Sequence, residues 1–123
     1  MIPGEYDFSV YKGGRLNHKI TAVDAMGVAV DFGDYASARM QIRPLWMQTA
    51  TGTMPTAIAS LTTDNGGIYF EDAGLTMMLY MSATDTAALI NRKLRYDIEL
   101  VLASGDVDKF LYGTITIMDE VTV

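Results

Sequence analysis

The chain has 123 residues, the size of one ordinary domain, and a single domain over residues 1–123 is expected. Cysteine is absent, which excludes a disulfide framework, a thiolate nucleophile and a cysteine-built zinc cluster and fits assembly in a reducing cytoplasm. Fifteen acidic against nine basic residues give a net charge of −6, which argues against a nucleic-acid partner, and the longest greasy run, LTMMLYM, falls far short of the ~20 apolar residues of a membrane helix.

The opening, MIPGEYDFSVY, has neither a basic leader nor an apolar signal core, so no signal peptide is expected. It alternates at once, with Tyr6, Phe8 and Val10 on one face, and KGG ends the run. RLNHKITAVD sets Leu16, His18, Ile20 and Ala22 against Arg15, Asn17, Lys19 and Thr21. DAMG reads as a hairpin connection, because Gly27 can take the positive φ of a tight turn, and VAVDF reads as a short strand after it. SARMQIRP alternates Ala38, Met40 and Ile42 with polar residues until Pro44 removes a backbone donor.

Residues 45–56, LWMQTATGTMPT, keep no clean period and predict a long loop or a loosely paired hairpin. AIASLTT resumes a strand, DNGG is a turn, and IYFEDAG leads through Gly74 into LTMMLYM, where Leu75, Met77, Leu79 and Met81 share a face. One short helix is predicted near residues 83–90: Ser82 can cap SATDTAALI, with Ala87, Ala88, Leu89 or Ile90 packing on the sheet. A final hairpin alternates Tyr96, Ile98, Leu100 and Leu102 inward with Asp97 and Glu99 outward, turns at ASGDVD, and returns through FLYGTITI. Some nine short strands at fairly even spacing predict an all-β, two-layer antiparallel β-sandwich of immunoglobulin-like architecture, without the cysteine-tryptophan-cysteine core of antibody domains.

Little of this carries chemistry. His18 is the only histidine, sits mid-strand and has no nucleophile in an identifiable motif, so it reads as a packed side chain. Asp106 and Asp108 lack the remaining oxygen ligands of a calcium loop, Asp97 and Glu99 read as an outer face, and Glu71 and Asp72 as a turn. The glycines of KGG and DNGG match no phosphate-loop spacing, and Arg92, Lys93 and Arg95 read as a solvated turn. The expectation is therefore no enzyme, no catalytic residue, no cofactor and no metal. Most of the nine methionines are core filler. Trp46, Met47, Met54 and Pro55 in the irregular stretch are either a contact surface or a satellite cluster under the loop. The terminal MDEVTV, with Val121 and Val123, is a strand that pairs in its own sheet or offers an edge to a neighbour.

The two ends of the chain carry a family resemblance. PGEYDFSVYKGG with KITAVDAMGVAVDFGDYASARMQIRP, and SATDTAALINRKLRYDIELVLASGDVDKFLYGTITIMDEVTV, resemble small tailed-phage structural proteins such as the N-terminal domain of phage upper baseplate proteins. The stretch between Pro44 and Thr62 departs from that pattern. The resemblance implies a non-enzymatic β-sandwich component of the virion, in the tail, baseplate or fibre attachment, assembled in the bacterial cytoplasm. Its partners would be other virion proteins and further copies of itself. A capsid decoration protein and a host-surface carbohydrate-binding module, with Trp46, Tyr69 and Tyr80 stacking on sugar rings, are the alternatives.

Overall fold

A computed structural model describes residues 4–24, 26–44, 58–89 and 93–119. Among these, nine strands follow in chain order: β1 (Gly4–Glu5), β2 (Phe8–Tyr11), β3 (Leu16–Ile20), β4 (Ser37–Pro44), β5 (Ala59–Thr62), β6 (Ile68–Glu71), β7 (Thr76–Met81), β8 (Lys93–Val101) and β9 (Val107–Met118). One helix, α1 (Ala83–Ala87), stands between β7 and β8. They form two sheets, one ordered β1-β9-β8-β4-β5 with β2 also on β9, the other ordered β3-β7-β6. This is the expected all-β sandwich, and its strand order corresponds to the B-E-D and G-F-C-C′ sheets of immunoglobulin-type domains.

The alternation read from sequence sets the core. Met40 and Ile42 of β4, Leu94, Ile98 and Leu100 of β8 and Ile115 of β9 face Ile68, Met77 and Leu79 of the smaller sheet, all essentially fully buried. Each such side chain stabilises the fold by roughly 1.5–3 kcal/mol relative to its exposed state. In β9 the register shifts opposite Ile98 and Glu99, so Phe110 is an extra residue. That bulge buries Phe110 and then lets Ile115 and Ile117 also face inward.

Three elements differ from the sequence-based expectation. The first strand is not antiparallel: β1 and β2 both run parallel to β9, split by a break at Tyr6 and Asp7. Tyr6 N–H still donates to the Tyr112 carbonyl at 2.9 Å, but Tyr6 O turns inward to accept the Tyr96 hydroxyl, and Asp7 Oδ1 accepts from Thr114 N–H at 2.8 Å. The break fits against Gly113, where a Cβ would stand 2.7 Å from the Tyr6 carbonyl carbon. Tyr6 is consequently exposed, while Phe8 and Val10 are buried as expected.

Second, VAVDF is not a strand. Val23 and Ala29 make one isolated bridge, and the chain then tightens into a 3-10 turn over Phe32–Asp34, because Asp31 Oδ1 caps Gly33 N–H at 2.8 Å. Third, Leu75 is exposed in the β6–β7 turn instead of facing inward, and Leu102 is only half-buried. That turn holds Asp72 and Ala73 at positive φ of 54° and 57°, ahead of Gly74 at 91°.

α1 ends earlier than the expected residue 90, with Ser82 Oγ accepting Asp85 N–H at 3.1 Å and Ala88 as its C-cap. Ala87 and Ala88 are exposed; Leu89 is buried, while Ile90 lies outside the described residues. The helix is fixed mainly by buried Thr86, whose hydroxyl donates to Gly14 O at 2.7 Å and accepts from Gly13 N–H at 3.1 Å. These bonds tie the crossover between sheets to the β2–β3 turn.

Candidate functional site

The candidate chemical residues sit in structural roles. His18 lies on the inward face of β3, half-buried in an aromatic group: its ring stacks on Phe8 at 4.9 Å and on Tyr6 at 5.5 Å, and Phe8 meets Tyr96 edge-on. The Tyr6 hydroxyl lies 3.0 Å from His18 Nε2. The cluster closes the sandwich where the N-terminal strand meets the smaller sheet. Burial lowers the His18 pKa below its ordinary 6.5. The folded state thus resists a proton that the unfolded chain accepts. His18's contribution is complete above pH 6.5 and declines as pH falls through the folded pKa. A melting-temperature series from pH 7.5 to pH 5 should therefore fall, and His18→Phe should flatten that segment.

Asp97 and Glu99 face outward on β8, as expected. Glu99 joins two cations across three strands: Arg39 Nε of β4 at 2.8 Å and Lys109 Nζ of β9. Its pKa is lowered, first by the Lys109 hydrogen bond and then by Arg39, against the opposing effect of partial burial. Arg43 lies 3.9 Å from Asp97. Such a ladder pins the register of β4, β8 and β9. Asp108 accepts a 2.9 Å hydrogen bond from the Tyr35 hydroxyl, whose pKa is raised by burial and then by that carboxylate. Asp72 Oδ2 accepts from Thr76 Oγ1 at 2.8 Å, closing its own turn. Lys93 and Arg95 lie exposed on the outer face of β8 and not in a turn. Among the described residues, no group of three His, Asp or Glu side chains is placed to hold a metal.

The interface residues expected from sequence, Trp46, Met47, Met54, Pro55, Val121 and Val123, lie outside the described residues. Two surfaces do stand out among those described. On the outer face of the smaller sheet, Tyr69 of β6 pairs with Met78, and Tyr80 of β7 pairs with Asn17 of β3. Both tyrosine rings are partly exposed, and the Tyr69 hydroxyl donates to Asn17 Oδ1 at 3.2 Å. The other surface is the hairpin tip formed by residues 22–24 and 26–30. Asp24 Oδ1 accepts from Met26 N–H and Val28 N–H at 2.8 and 3.0 Å, and Gly27 stands at φ 80°. Ala22, Val23 and Val30 of this segment line a largely apolar groove of about 650 Å³ with Tyr6, Phe110 and Leu111, and Lys19 and Asp24 also stand on its walls. Sequence reading missed this surface; its signal was the apolar residues on both sides of DAMG, with no polar alternation between them.

No protein-family model matches the chain, and no curated protein sequence does. Among solved structures, the sialic acid binding region of a Streptococcus sanguinis SK1 adhesin bound to 3'sLn is similar over 98% of this chain, with 9% sequence identity and a TM-score of 0.40. The chain spans 29% of the length of that adhesin chain.

Proposed function

We propose that the chain is a structural protein of a tailed-phage particle, a tail, baseplate or fibre-attachment component that acts by protein–protein contact without catalysis. The observation that carries this reading is the combination of a tightly packed sandwich with unpaired strand edges at β5 and β6 among the described residues and an apolar hairpin tip in solvent. Edge backbone groups and projecting apolar side chains are what β-augmentation and docking use. The sequence resemblance of both chain ends to small phage structural proteins points the same way. The partners are then other virion proteins, and the working location is the virion. Mass spectrometry of purified particles, followed by electron microscopy to locate the density, tests the proposal. Absence from the particles rejects it, and density on the capsid surface moves the protein to a decoration role.

A second reading, carbohydrate recognition, draws on Tyr69 and Tyr80, which share the outer face of the smaller sheet with Asn17 and Lys19. Two exposed aromatic faces beside amide and ammonium groups suit a sugar ring. On this reading a glycan array gives specific binding that Tyr80→Ala weakens at least about tenfold, the loss expected from removing one aromatic anchor. A silent array removes it.

A further inference from the structure

The two ends of the sandwich carry opposite charge. At the end where β4 begins, the loops over residues 21–36, 71–75 and 102–106 hold Asp24, Asp31, Asp34, Glu71, Asp72 and Asp106 and contain no lysine or arginine. Lys19, two residues before the first of these loops, lines the groove beside them, while Arg39 and Lys109 are both bound to Glu99. From this acidic end project Val23, Met26 and Val28, 67%, 86% and 61% exposed, and Val23 also lines the apolar groove. Among the described residues the opposite end is basic. Lys12 and Arg15 lie in the β2–β3 turn, and Lys93 and Arg95 start β8, against Asp85 and Asp119. Here, too, apolar side chains stand in solvent: Tyr11 and Met118 pair across β2 and β9 on the outer face. The groove is bounded by β1 and β9, and the Tyr11–Met118 pair lies further along that same sheet edge, at its other end.

We infer that copies of this chain stack head to tail, the acidic hairpin end of one against the basic Tyr11–Met118 end of the next. Each end carries exposed apolar side chains with charges beside them, and the charges are predominantly opposite, so each end fits the other and repels its own kind. An isologous dimer through either end would bring like charges together. A heterologous contact leaves one head and one tail open at every step, which gives rings or columns of copies. The inference rests on the multi-copy structural reading above and adds its geometry.

The test uses two variants of the full chain. Met26→Lys with Val28→Lys disables the head, and Arg15→Glu with Lys93→Glu disables the tail; all four side chains are exposed. Both variants should melt with wild type. In sedimentation equilibrium at about 50 mM salt, wild-type mass should rise with concentration past the dimer, and about 500 mM salt should reverse this by screening. Each variant alone should associate at least about tenfold more weakly, as expected when like charges are brought together. Mixed in equal amounts, they should form a one-to-one dimer and nothing larger, since one intact head and one intact tail remain. A wild type monomeric at about 1 mM protein in low salt, where ionic attraction is strongest, overturns the inference. So does a salt-insensitive association or a dimer that stops at two copies and is not restored by mixing. Protein present in particles but monomeric in solution overturns stacking alone; stacking by a protein absent from particles overturns the phage assignment alone.

Discussion

Gly113→Ala is expected to unfasten the N-terminal strand and lower stability by about 3–5 kcal/mol, combining overpacking against backbone with loss of a buried hydrogen bond. A methyl group at this position would stand 2.7 Å from the Tyr6 carbonyl carbon and 2.8 Å from Asp7 Oδ1, and both belong to backbone or to a side chain already bound to Thr114. The neighbour cannot yield by rotating a flexible side chain. Residues 6 and 7 must move away, which removes the acceptor of the buried Tyr96 hydroxyl and loosens Phe8 from Tyr96 and His18. For a chain of this size the loss corresponds to roughly 10–20 °C in melting temperature. Hydrogen exchange should show protection lost first at Phe8–Tyr11 and in the β9 amides that face it. In a Tyr96→Phe background the penalty should shrink, because part of the same network is already gone. A Gly113→Ala protein within about 1 kcal/mol of wild type would mean the first strand contributes little to the fold, well short of the overpacking cost argued here.

The long strands were legible because one face of each is wet. β4 and β8 alternate cleanly, and their outward Arg39, Asp97 and Glu99 were placed from pattern alone. What the pattern could not supply was pairing partners. Nothing local in EYDFSVY separates an antiparallel from a parallel neighbour, and the break in that strand is accommodated by Gly113, more than a hundred residues away. The same limit hid the β9 bulge: strict alternation puts Phe110 in phase with Tyr112, whereas one extra residue turns it into the core. VAVDF misled for a chemical reason, since its Asp31 folds back on Gly33 and converts β-branched residues into the approach to a turn. That error also concealed the hairpin surface, because Val28 had been assigned to a sheet.

Phe32→Ala is the other substitution expected to cost about 3–5 kcal/mol, through the cavity it opens. Phe32 is fully buried, stacks on Phe70 at 5.7 Å and meets Phe110 edge-on at 5.4 Å, so it joins the two sheets at the acidic end. The 3-10 turn that carries it packs on the β6–β7 turn, where a Cβ on Gly74 would stand 3.0 Å from Gly33 N. Truncating the ring therefore loosens two loops together, those bearing Asp31, Asp34 and Asp72. Hydrogen exchange should rise in residues 32–35 and 72–75 before the β4–β8–β9 ladder opens, and Phe32→Leu should recover most of the stability by refilling the space. The same loops frame the acidic end on which copies are inferred to stack. Phe32→Ala should therefore weaken concentration-dependent association even below its melting temperature, while Phe32→Leu should leave it close to wild type. Equal association by both variants would show that the order of this end is not what the contact reads.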